Sequence, residues 1–367
     1  MPQWLTMTDR IAMTNMMTKK KLLVVGDHFI QPELMRSKLG SIASRYEMVE
    51  ASTPFPLEPF RQIAEVHEAS GSEEQMIEAL DGVSICIAHH APLTERILRH
   101  ATALRLFVVC RGGPVNVNIT AATRQGVLVA YTPGRNAVAT AEHTVAMILS
   151  AIRGISRCDA GIRRGEWKGD YTWDTASIEL GSATIGLIGY GAIGHLVARY
   201  LHGFGAKVIV YDPYATVNPR GRVEQISLDE LLSRSNIVSL HARDTEESRG
   251  IIGRDQIARL QRGSVVVNCA RGSLLDYDAL ADALRSGHLS AAAADVFPQE
   301  PIPADSPLLS LPNFIMTPHI AGGTRQAAER AAALAAKEVM RFRTGRALLH
   351  CANPVLNIEV RRSTVGV

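Results

Sequence analysis

The segment Ala183-Thr-Ile-Gly-Leu-Ile-Gly189-Tyr-Gly191-Ala-Ile-Gly194 is the strongest indication of the fold, because an apolar run ends there in G-x-G-x-x-G. A helical pattern follows, and then the apolar run Lys207-Val-Ile-Val-Tyr-Asp212. This order of strand, glycine turn, helix, strand and acid is typical of a dinucleotide-binding unit. The first glycine permits the tight turn, the second lets a pyrophosphate approach, and the third lets helix and strand pack closely. The alternative is a glycine-rich turn of some other α/β protein.

Asp212 ends the second apolar run, 18 residues after Gly194 (212 − 194). An acid at this distance is expected to hold the adenosine ribose hydroxyls, while the phosphates lie on the helix N-terminus. A carboxylate also repels a 2′-phosphate, and Pro213-Tyr214-Ala215 follows without any arginine or lysine to neutralise one. We therefore expect Asp212 to select NAD over NADP.

The composition is that of an ordinary globular protein of about two domains, with 367 residues, 46% hydrophobic and 20% charged. A net charge of +3 without a basic block gives no indication of nucleic-acid binding. No apolar run approaches the ~18 residues of a membrane span, so no membrane partner is expected. The cysteines, odd in number and without a C-x-x-C motif, are expected to be reduced thiols of a cytoplasmic protein that holds no metal. They are Cys86, Cys110, Cys158, Cys269 and Cys351.

Periodicity divides the chain into two α/β units behind a lead-in, 1–20, that is expected to be disordered or mis-started. In the first unit, strands are expected over 21–26, 84–88, 105–110 and 127–130, with helices over 94–100 and 120–124. A long amphipathic helix is expected over 136–152, and 153–180 shows little periodicity. After the glycine loop, strands are expected over 236–241, 264–269, 291–296 and 314–317, with helices over 276–286 and 324–343. Strands that alternate with helices predict parallel sheets covered on both faces.

Three further segments each follow a predicted strand of the dinucleotide unit. They are Asn268-Cys-Ala-Arg271-Gly-Ser-Leu-Leu-Asp276, Asp295-Val-Phe-Pro-Gln-Glu300-Pro301 and Thr317-Pro-His319-Ile-Ala-Gly-Gly323. Ligands bind outside the carboxyl ends of the strands in an open parallel sheet, so we expect the three segments to converge on the nicotinamide. Together they offer an arginine, a glutamate and a histidine.

Reversible hydride transfer to a 2-oxo acid needs these three groups. The planar guanidinium of Arg271 would anchor the carboxylate and polarise the carbonyl. The imidazole of His319 would give a proton to the forming alkoxide, and Glu300 would hold the ring and favour its protonated form. Taken singly, Arg271 could equally be a solvated turn residue, Glu300 a loop charge and His319 a buried, hydrogen-bonded histidine.

With these motifs the chain resembles the D-isomer-specific 2-hydroxyacid dehydrogenase family, which includes phosphoglycerate dehydrogenases and glyoxylate/hydroxypyruvate reductases. The resemblance covers about residues 21–350, and it gives Arg271, Glu300 and His319 the catalytic roles argued above. It implies an NAD-dependent enzyme that acts on a small D-2-hydroxy or 2-oxo acid, such as phosphoglycerate or another polar hydroxy acid. It also implies a homodimer.

The fold that the resemblance implies is α/β, with two Rossmann-like or flavodoxin-like domains built on parallel sheets. An NAD-binding Rossmann domain, 136–323, would be inserted into a split substrate domain made of 21–135 and 324–367.

The resemblance also implies which residues surround each ligand. The cofactor would contact Gly189, Tyr190, Gly191, Ala192, Ile193, Gly194, Asp212, His241, Ala242, Thr245, Cys269, Ala270, Arg271, Asp295, His319 and Gly322. The substrate would contact His89, His90, Arg111, Gly112, Gly113, Arg135, Arg271 and His319. If Arg111 and Arg135 face the substrate, they suit a second anionic or strongly polar group; the alternative is that they point to solvent or brace loop carbonyls.

Two segments depart from the family pattern. The family usually reads L-H-x-P-L-T where this chain has Leu240-His-Ala-Arg243-Asp-Thr245, a loop that borders the adenine pocket. In Arg111-Gly-Gly-Pro114-Val-Asn-Val-Asn118, the proline removes one backbone donor from the loop that holds the substrate carboxylate in the family.

Other functions share this pattern. Formate dehydrogenase has the same fold but glutamine where Glu300 stands, and phosphite dehydrogenase keeps the three catalytic residues. An NAD(H)-sensing interaction protein like the C-terminal-binding corepressors also keeps them, and turnover of 2-oxo acids would distinguish it from an enzyme.

Overall fold

The computed structural model describes residues 19–167, 171–172, 176–218 and 221–356. The predicted lead-in over 1–20 lies outside them except for Lys19 and Lys20. The described residues form two compact units. One, the split unit, runs up to Arg135 and resumes at Arg325; the other, the inserted unit, is Asn136–Thr324.

The split unit begins with seven strands and four helices. The strands are β1 (Lys21–Gly26), β2 (Glu47–Ser52), β3 (Arg61–Ile63), β4 (Val66–Ala69), β5 (Val83–Ala88), β6 (Leu106–Val109) and β7 (Leu128–Tyr131), and the helices are α1 (Pro32–Leu39), α2 (Glu73–Ala79), α3 (Glu95–His100) and α4 (Ile119–Arg124). Five strands form a parallel sheet in the order β2-β1-β5-β6-β7, while β3 and β4 form a separate antiparallel pair. In the sheet, Leu22 lies between Met48 and Ile85.

The inserted unit carries a parallel sheet of seven strands. They are β8 (Thr184–Ile188), β9 (Lys207–Tyr211), β10 (Glu224–Gln225), β11 (Ile237–Leu240), β12 (Ser264–Asn268), β13 (Leu289–Ala294) and β14 (Phe314–Met316), and their order is β10-β9-β8-β11-β12-β13-β14. Its helices are α5 (Ala137–Arg153), α6 (Ile155–Arg163), α7 (Ala192–Gly203), α8 (Leu228–Arg234), α9 (Arg254–Arg259) and α10 (Tyr277–Arg285). The chain then returns to the split unit with α11 (Arg325–Arg343).

Each sheet has one switch point, where the chain starts adding strands on the other side of its first strand. In the split unit the chain goes from β1 to β2 and then crosses to β5, and in the inserted unit it goes from β8 to β9 and later crosses to β11. Ligands of open parallel sheets bind at such points, outside the carboxyl ends of the strands. Ligand sites are therefore expected in the loops after β1, β5, β8 and β11.

Apolar side chains on both faces of each sheet form the cores. On β1, Leu22 and Val24 pack on the face that α11 covers, whereas Leu23 and Val25 pack on the opposite face. Strands buried on both faces read as continuous apolar runs, which is why the sequence revealed them. The predicted α/β class with parallel sheets is confirmed.

The elements that the sequence analysis missed lack such runs. Strand β2 lies at the sheet edge and carries Glu47, Glu50 and Ser52, so its pattern is mostly polar. Helix α6 falls in the stretch without clear periodicity, and only Gly161 of its residues is buried. Within the described residues, no helix has both the length and the apolar composition needed to cross a bilayer.

Candidate active site

The glycine loop lies between β8 and α7, at the switch point of the inserted unit's sheet. Gly189 has a φ of 98°, which favours glycine, and a Cβ there would lie 2.6 Å from the backbone nitrogen of Ala242. A Cβ on Gly194 would lie 2.3 Å from the Gly189 carbonyl oxygen, whereas one on Gly191 would meet no heavy atom within 4 Å. The protein's own packing thus requires the first and third glycines, and the second leaves space for a pyrophosphate.

The start of α7 completes this cradle. Gly191 is the N-cap residue, and no side chain caps the helix there. The first N–H groups, which begin at Ala192 and Ile193, therefore remain available to an anion, and the helix dipole favours negative charge at this end. The residues of the loop fit the phosphates of a dinucleotide.

Asp212, directly after β9, organises the same loop. Its Oδ2 accepts a hydrogen bond from the Tyr190 N–H at 2.7 Å, and its Oδ1 accepts from the N–H groups of Tyr214 and Ala215 at 2.8 and 3.1 Å. A carboxylate has about four acceptor positions, so these bonds leave capacity for ribose hydroxyls. Asp212 also ties the glycine loop to the end of β9, a role that spacing alone did not reveal.

His241 and Ala242 follow β11 on the other side of the switch point. Burial lowers the pKa of His241 to about 4, so the ring is neutral near pH 7. Its Nε2 lies 3.0 Å from the Ser239 hydroxyl. That His241, Ala242 and Thr245 contact the cofactor stays a prediction.

The departure at Arg243-Asp244 forms an exposed loop with its own contacts. Asp244 accepts a hydrogen bond from Arg249 Nε at 2.9 Å, and the Ser248 hydroxyl accepts one from the Thr245 N–H, also at 2.9 Å. The pair that replaces the family's proline and leucine therefore joins a local polar network.

Asn268 shapes the turn that carries Arg271. Its Oδ1 accepts a hydrogen bond from the Ala270 N–H at 3.0 Å, and its Nδ2 donates to the Arg271 carbonyl oxygen at 2.9 Å and to the Tyr277 hydroxyl at 3.2 Å. The Arg271 guanidinium donates to the Ala270 carbonyl oxygen at 2.7 Å. Burial lowers the pKa of Arg271, and the charges of Glu300 and Asp244 oppose that shift.

Gly272 brings the Arg271 turn against the Glu300 loop. A Cβ at this position would lie 2.1 Å from the Phe297 carbonyl oxygen and 2.6 Å from the Pro298 nitrogen, so only glycine permits the contact. The A-R-G sequence therefore has a steric reason, and two of the three predicted segments meet there.

Glu300 and His319 form a direct pair. His319 Nδ1 lies 2.7 Å from Glu300 Oε2, and Glu300 Oε1 accepts a hydrogen bond from the Phe297 N–H at 2.8 Å. Because the carboxylate accepts, Nδ1 carries the proton and Nε2 is the ring atom left to exchange one with a substrate. Both side chains keep some exposure, 26% for His319 and 20% for Glu300. The structure thus brings together the histidine and the glutamate that the sequence analysis paired, and their catalytic roles stay a prediction.

Asp295 holds the loop that carries His319. Its Oδ1 accepts from the Thr317 hydroxyl at 2.6 Å and the Ile320 N–H at 2.9 Å, and its Oδ2 accepts from the Ala321 N–H at 2.8 Å. His319 itself has a φ of 53°, a conformation that non-glycine residues rarely adopt. The bonds to Asp295 on both sides stabilise this strained residue.

His143 on α5 extends this network. Its Nε2 lies 3.1 Å from the Thr317 hydroxyl, and since that hydroxyl gives its proton to Asp295, His143 is the donor. The sequence analysis missed His143, as well as Asn268 and Tyr277 as supports of the Arg271 turn. A histidine inside a helical pattern and a tyrosine after an N-cap carry no distinct signal.

Gly322, which was predicted to contact the cofactor, lies against Asn136. A Cβ added at this glycine would lie only 2.8 Å from the Asn136 Nδ2 atom.

The split unit has its own polar cluster after β1, β5 and β7. His89 Nδ1 lies 2.6 Å from Asp27 Oδ2, and Arg135 Nη2 lies 3.4 Å from His89 Nε2. All three residues are buried. The sequence analysis named His89 and Arg135 but missed Asp27, because one acid after a strand is not distinctive.

Arg111 braces the backbone of the split unit. Its guanidinium donates to the Glu68 carbonyl oxygen at 2.9 Å, pairs with the Glu68 carboxylate and lies 3.3 Å from His90 Nδ1. This contact matches the alternative named above, in which Arg111 braces loop carbonyls. Next to it, a Cβ on Gly112 or Gly113 would meet no heavy atom within 4 Å.

In the part of the chain that the structure describes, no three histidine, cysteine, aspartate or glutamate side chains are grouped to hold a metal ion.

Comparison with known proteins agrees with this geometry. A sequence model described as "D-isomer specific 2-hydroxyacid dehydrogenase, NAD binding domain" matches residues 145–321. The chain is 41% identical over 243 residues to D-3-phosphoglycerate dehydrogenase of Mycobacterium leprae, covering 65% of this chain and 45% of the relative. It is 34% identical over 259 residues to glyoxylate reductase of Korarchaeum cryptofilum, covering 69% of this chain and 77% of that protein. The chain thus spans about half the length of the phosphoglycerate dehydrogenase that it matches.

Solved structures share the fold. The TT0316 protein of Thermus thermophilus superposes with a TM-score of 0.77 at 28% identity, over 90% of this chain and 99% of that one. A glyoxylate reductase from Paecilomyes thermophila gives a TM-score of 0.74 at 26% identity, over 92% of this chain and 99% of its own.

Proposed function

This chain belongs to the D-isomer-specific 2-hydroxyacid dehydrogenase family, and from that premise we propose that it is an NAD-dependent oxidoreductase. It interconverts a D-2-hydroxy acid and the corresponding 2-oxo acid. The observation that carries the proposal is the His319–Glu300 pair at 2.7 Å, in the same unit as the glycine loop and Arg271. We take the inserted unit as the cofactor domain and the split unit as the substrate domain.

Arg271 binds the reacting end of the substrate. Its guanidinium is planar and charged, and the turn held by Asn268 limits its movement. A carboxylate next to the reacting carbonyl pairs with such a group in bidentate geometry, and the same charge polarises the carbonyl oxygen. Its partial desolvation strengthens both effects, because a buried charge interacts more strongly than a hydrated one.

His319 moves the proton. In the reducing direction, Nε2 donates a proton to the carbonyl oxygen as that oxygen becomes an alkoxide, and in the other direction it removes the hydroxyl proton. Glu300 keeps Nδ1 as the donor of their hydrogen bond and stabilises the positive charge on the ring. Glu300 is itself oriented by the Phe297 N–H.

The coenzyme is NAD, held by Gly189–Gly194, by the first turn of α7 and by Asp212. When bound, it supplies or accepts the hydride. Asp212 prefers free ribose hydroxyls to a 2′-phosphate, so NADH is expected to be a better substrate than NADPH.

The substrate proposed is a polar 2-hydroxy acid larger than lactate. The relatives named above are a D-3-phosphoglycerate dehydrogenase and a glyoxylate reductase, which differ in substrate size. A larger substrate is supported by the polar side chains that follow the split unit's strands, His89, His90 and Arg135 among them. Contact of His90, Arg135, Gly112 and Gly113 with substrate is part of the proposal, whereas Arg111 is held by Glu68 and the buried His89 pairs with Asp27.

We further propose a cytoplasmic homodimer. Helix α6 and the segment after it expose Ile155 by 56%, Ile162 by 57% and Trp167 by 91%, an apolar surface typical of an interface. All five cysteines are free thiols, which suits a reducing compartment.

The test is NADH oxidation with glyoxylate, hydroxypyruvate, pyruvate, 2-oxoglutarate and 3-phosphohydroxypyruvate, repeated with NADPH. Saturable turnover of at least one 2-oxo acid is expected, with higher kcat/KM for NADH and for the polar substrates than for pyruvate. Tight NADH binding without turnover of any of them would contradict an enzyme and favour a dinucleotide-sensing protein.

A further inference from the structure

The switch point of the split unit's sheet carries charged and polar side chains, as the inserted unit's does. Asp27 directly follows β1, and His89 directly follows β5, the two strands that flank the switch point. Arg135 comes from the loop after β7. In sheets of this kind the switch point is where ligands bind, so these three residues occupy a position suited to a ligand site.

The hydrogen bonds order the three side chains into a line. Asp27 Oδ1 accepts from the N–H groups of Phe29 and Ile30 at 2.9 and 2.8 Å, which leaves Oδ2 to pair with His89 Nδ1. Arginine can only donate, so His89 Nε2 must be the acceptor toward Arg135 and Nδ1 must carry the proton. Burial lowers the pKa of His89 well below its ordinary value, which agrees with a neutral ring.

Arg135 is the unsatisfied end of this line. The residue is only 8% exposed, yet its Nε and Nη1 are buried without a hydrogen-bond partner among the described residues. Asp27 balances part of its charge from the far side of His89, and it is not within ion-pair distance. A buried guanidinium with two idle donors destabilises a protein unless something accepts from them.

A second arginine adds to the same imbalance. Arg330 on α11 donates through Nε to the Arg135 carbonyl oxygen at 2.8 Å, and its Nη2 is also buried without a partner among the described residues. The segment around residue 135 therefore has an excess of positive donors over acceptors. Such an excess matches a ligand that has only acceptors and carries negative charge.

We propose that the split unit holds an oxyanion site at its own switch point, in which the Arg135 guanidinium binds a phosphate or carboxylate group. His89 and Asp27 are positioning residues, since they fix the guanidinium and do not contact the ligand. The rings of Phe29 and Phe55 pack on His89 with centroids 5.9 and 5.7 Å away, which keeps water from the line and strengthens the charge interaction. The site rests on the split unit alone and does not depend on the proposed reaction.

The test is calorimetric titration of the full-length protein, without coenzyme, with inorganic phosphate. Saturable binding is expected for the wild type. R135M, which keeps the length and removes the donors, should weaken it at least about tenfold, because it loses charge-assisted hydrogen bonds. D27N should weaken phosphate binding about threefold or more, because His89 would lose the carboxylate that fixes its position beside Arg135. R36M is the matched control, because Arg36 is exposed and, in the described part of the chain, pairs with Glu50 at the surface.

The melting temperature gives a second readout that protects the test against misfolding. Without phosphate, R135M should melt at or above the wild-type temperature, since a buried unpaired charge is gone, and phosphate should no longer raise it. Absence of saturable phosphate binding by the wild type would overturn the proposal. So would equal binding by the wild type and R135M.

A kinetic arm separates the two sources of the anion. If the site takes a second anionic group of the 2-oxo acid, phosphate should compete with that substrate, and R135M should raise KM far more for a phosphorylated or dicarboxylic oxo acid than for pyruvate. If it takes a free anion, phosphate should bind without competition. Turnover that persists without any phosphate binding would remove this site and leave the proposed reaction intact.

Discussion

In each unit of the molecule a histidine that follows a strand forms a short hydrogen bond with a carboxylate, and these two pairs, His319–Glu300 and His89–Asp27, differ most in their exposure. In the inserted unit, His319 and Glu300 are 2.7 Å apart, with side chains 26% and 20% exposed. In the split unit, His89 and Asp27 are 2.6 Å apart, with side chains 1% and 0% exposed. The same hydrogen bond thus occurs in two environments.

The difference in exposure determines which chemistry each pair can perform. A proton can reach a substrate only from a ring that the substrate can approach, so the exposed pair suits acid–base catalysis. A buried neutral ring instead transmits position and polarity between its two neighbours, here Asp27 and Arg135. The pairs are therefore assigned to different tasks, proton transfer and ligand positioning.

The largest expected effect is the loss of kcat when the His319 imidazole is removed. His319→Ala should lower kcat by roughly 10²–10⁴-fold, as expected for a lost general acid. Exposed His100, at the end of α3, provides the matched control, and His100→Ala should stay within about twofold of the wild type. The measurement is steady-state NADH oxidation with the best 2-oxo acid of the screen. A kcat near the wild-type value for His319→Ala would remove the catalytic assignment.

Arg271→Lys tests whether the Arg271 guanidinium binds the substrate carboxylate next to the His319–Glu300 pair. A lysine ammonium keeps the charge but loses the planar fork, so KM should rise by about 10- to 100-fold, with a smaller change in kcat. Saturation curves for the 2-oxo acid measure the two parameters separately. An unchanged KM would mean that another group binds the carboxylate.

Asp295→Asn changes only one of the two pairs, because it loosens the loop that carries His319. The amide would place an N–H where the carboxylate now accepts from Thr317, Ile320 or Ala321, so His319 should lose its fixed position. We expect kcat to fall about tenfold and the melting temperature to drop. Asp282→Asn on the surface of α10 is the control. Equal kcat for wild type and Asp295→Asn would show that the loop holds His319 without this carboxylate.

The smallest expected effect concerns the pH dependence of stability and the partly buried His241. Its pKa is about 4 in the folded protein against an ordinary 6.5, so the unfolded state binds more protons between these values. The stabilisation is present above pH 6.5 and is lost as pH falls toward 4. Because His241 as a residue is only partly buried, we discount the full shift and expect the free energy of unfolding to fall by about 1–2 kcal/mol between pH 7.5 and 5. Urea unfolding of wild type and His241→Gln at pH 7.5 and 5 measures it, and an equal loss in both would contradict it.

The two regions also differ in how far the sequence predicted them. Gly189, Gly194 and Gly272 occur where backbone approaches backbone too closely for a Cβ, so a local motif carries the information. Arg271, Glu300 and His319 follow strands of one sheet and could be named together for that reason.

The buried pair had no such signal. Asp27, His89 and Arg135 come from loops after three different strands, and their contact depends on strand order, which a single sequence does not display. The pairing of Arg111 with Glu68 depends on the β3–β4 hairpin, which was not predicted either. Tertiary placement, rather than residue type, decides the role of these side chains.

The most direct test of the whole account compares Glu300→Gln with Asp27→Asn in one NADH-oxidation assay with a phosphorylated or dicarboxylic 2-oxo acid. Each change removes the charge from one histidine's partner and keeps its size. We expect Glu300→Gln to lower kcat at least about tenfold, whereas Asp27→Asn should mainly raise KM and change kcat less. A fall in kcat for Asp27→Asn as large as that for Glu300→Gln would contradict it, because exposure would then not separate the two pairs.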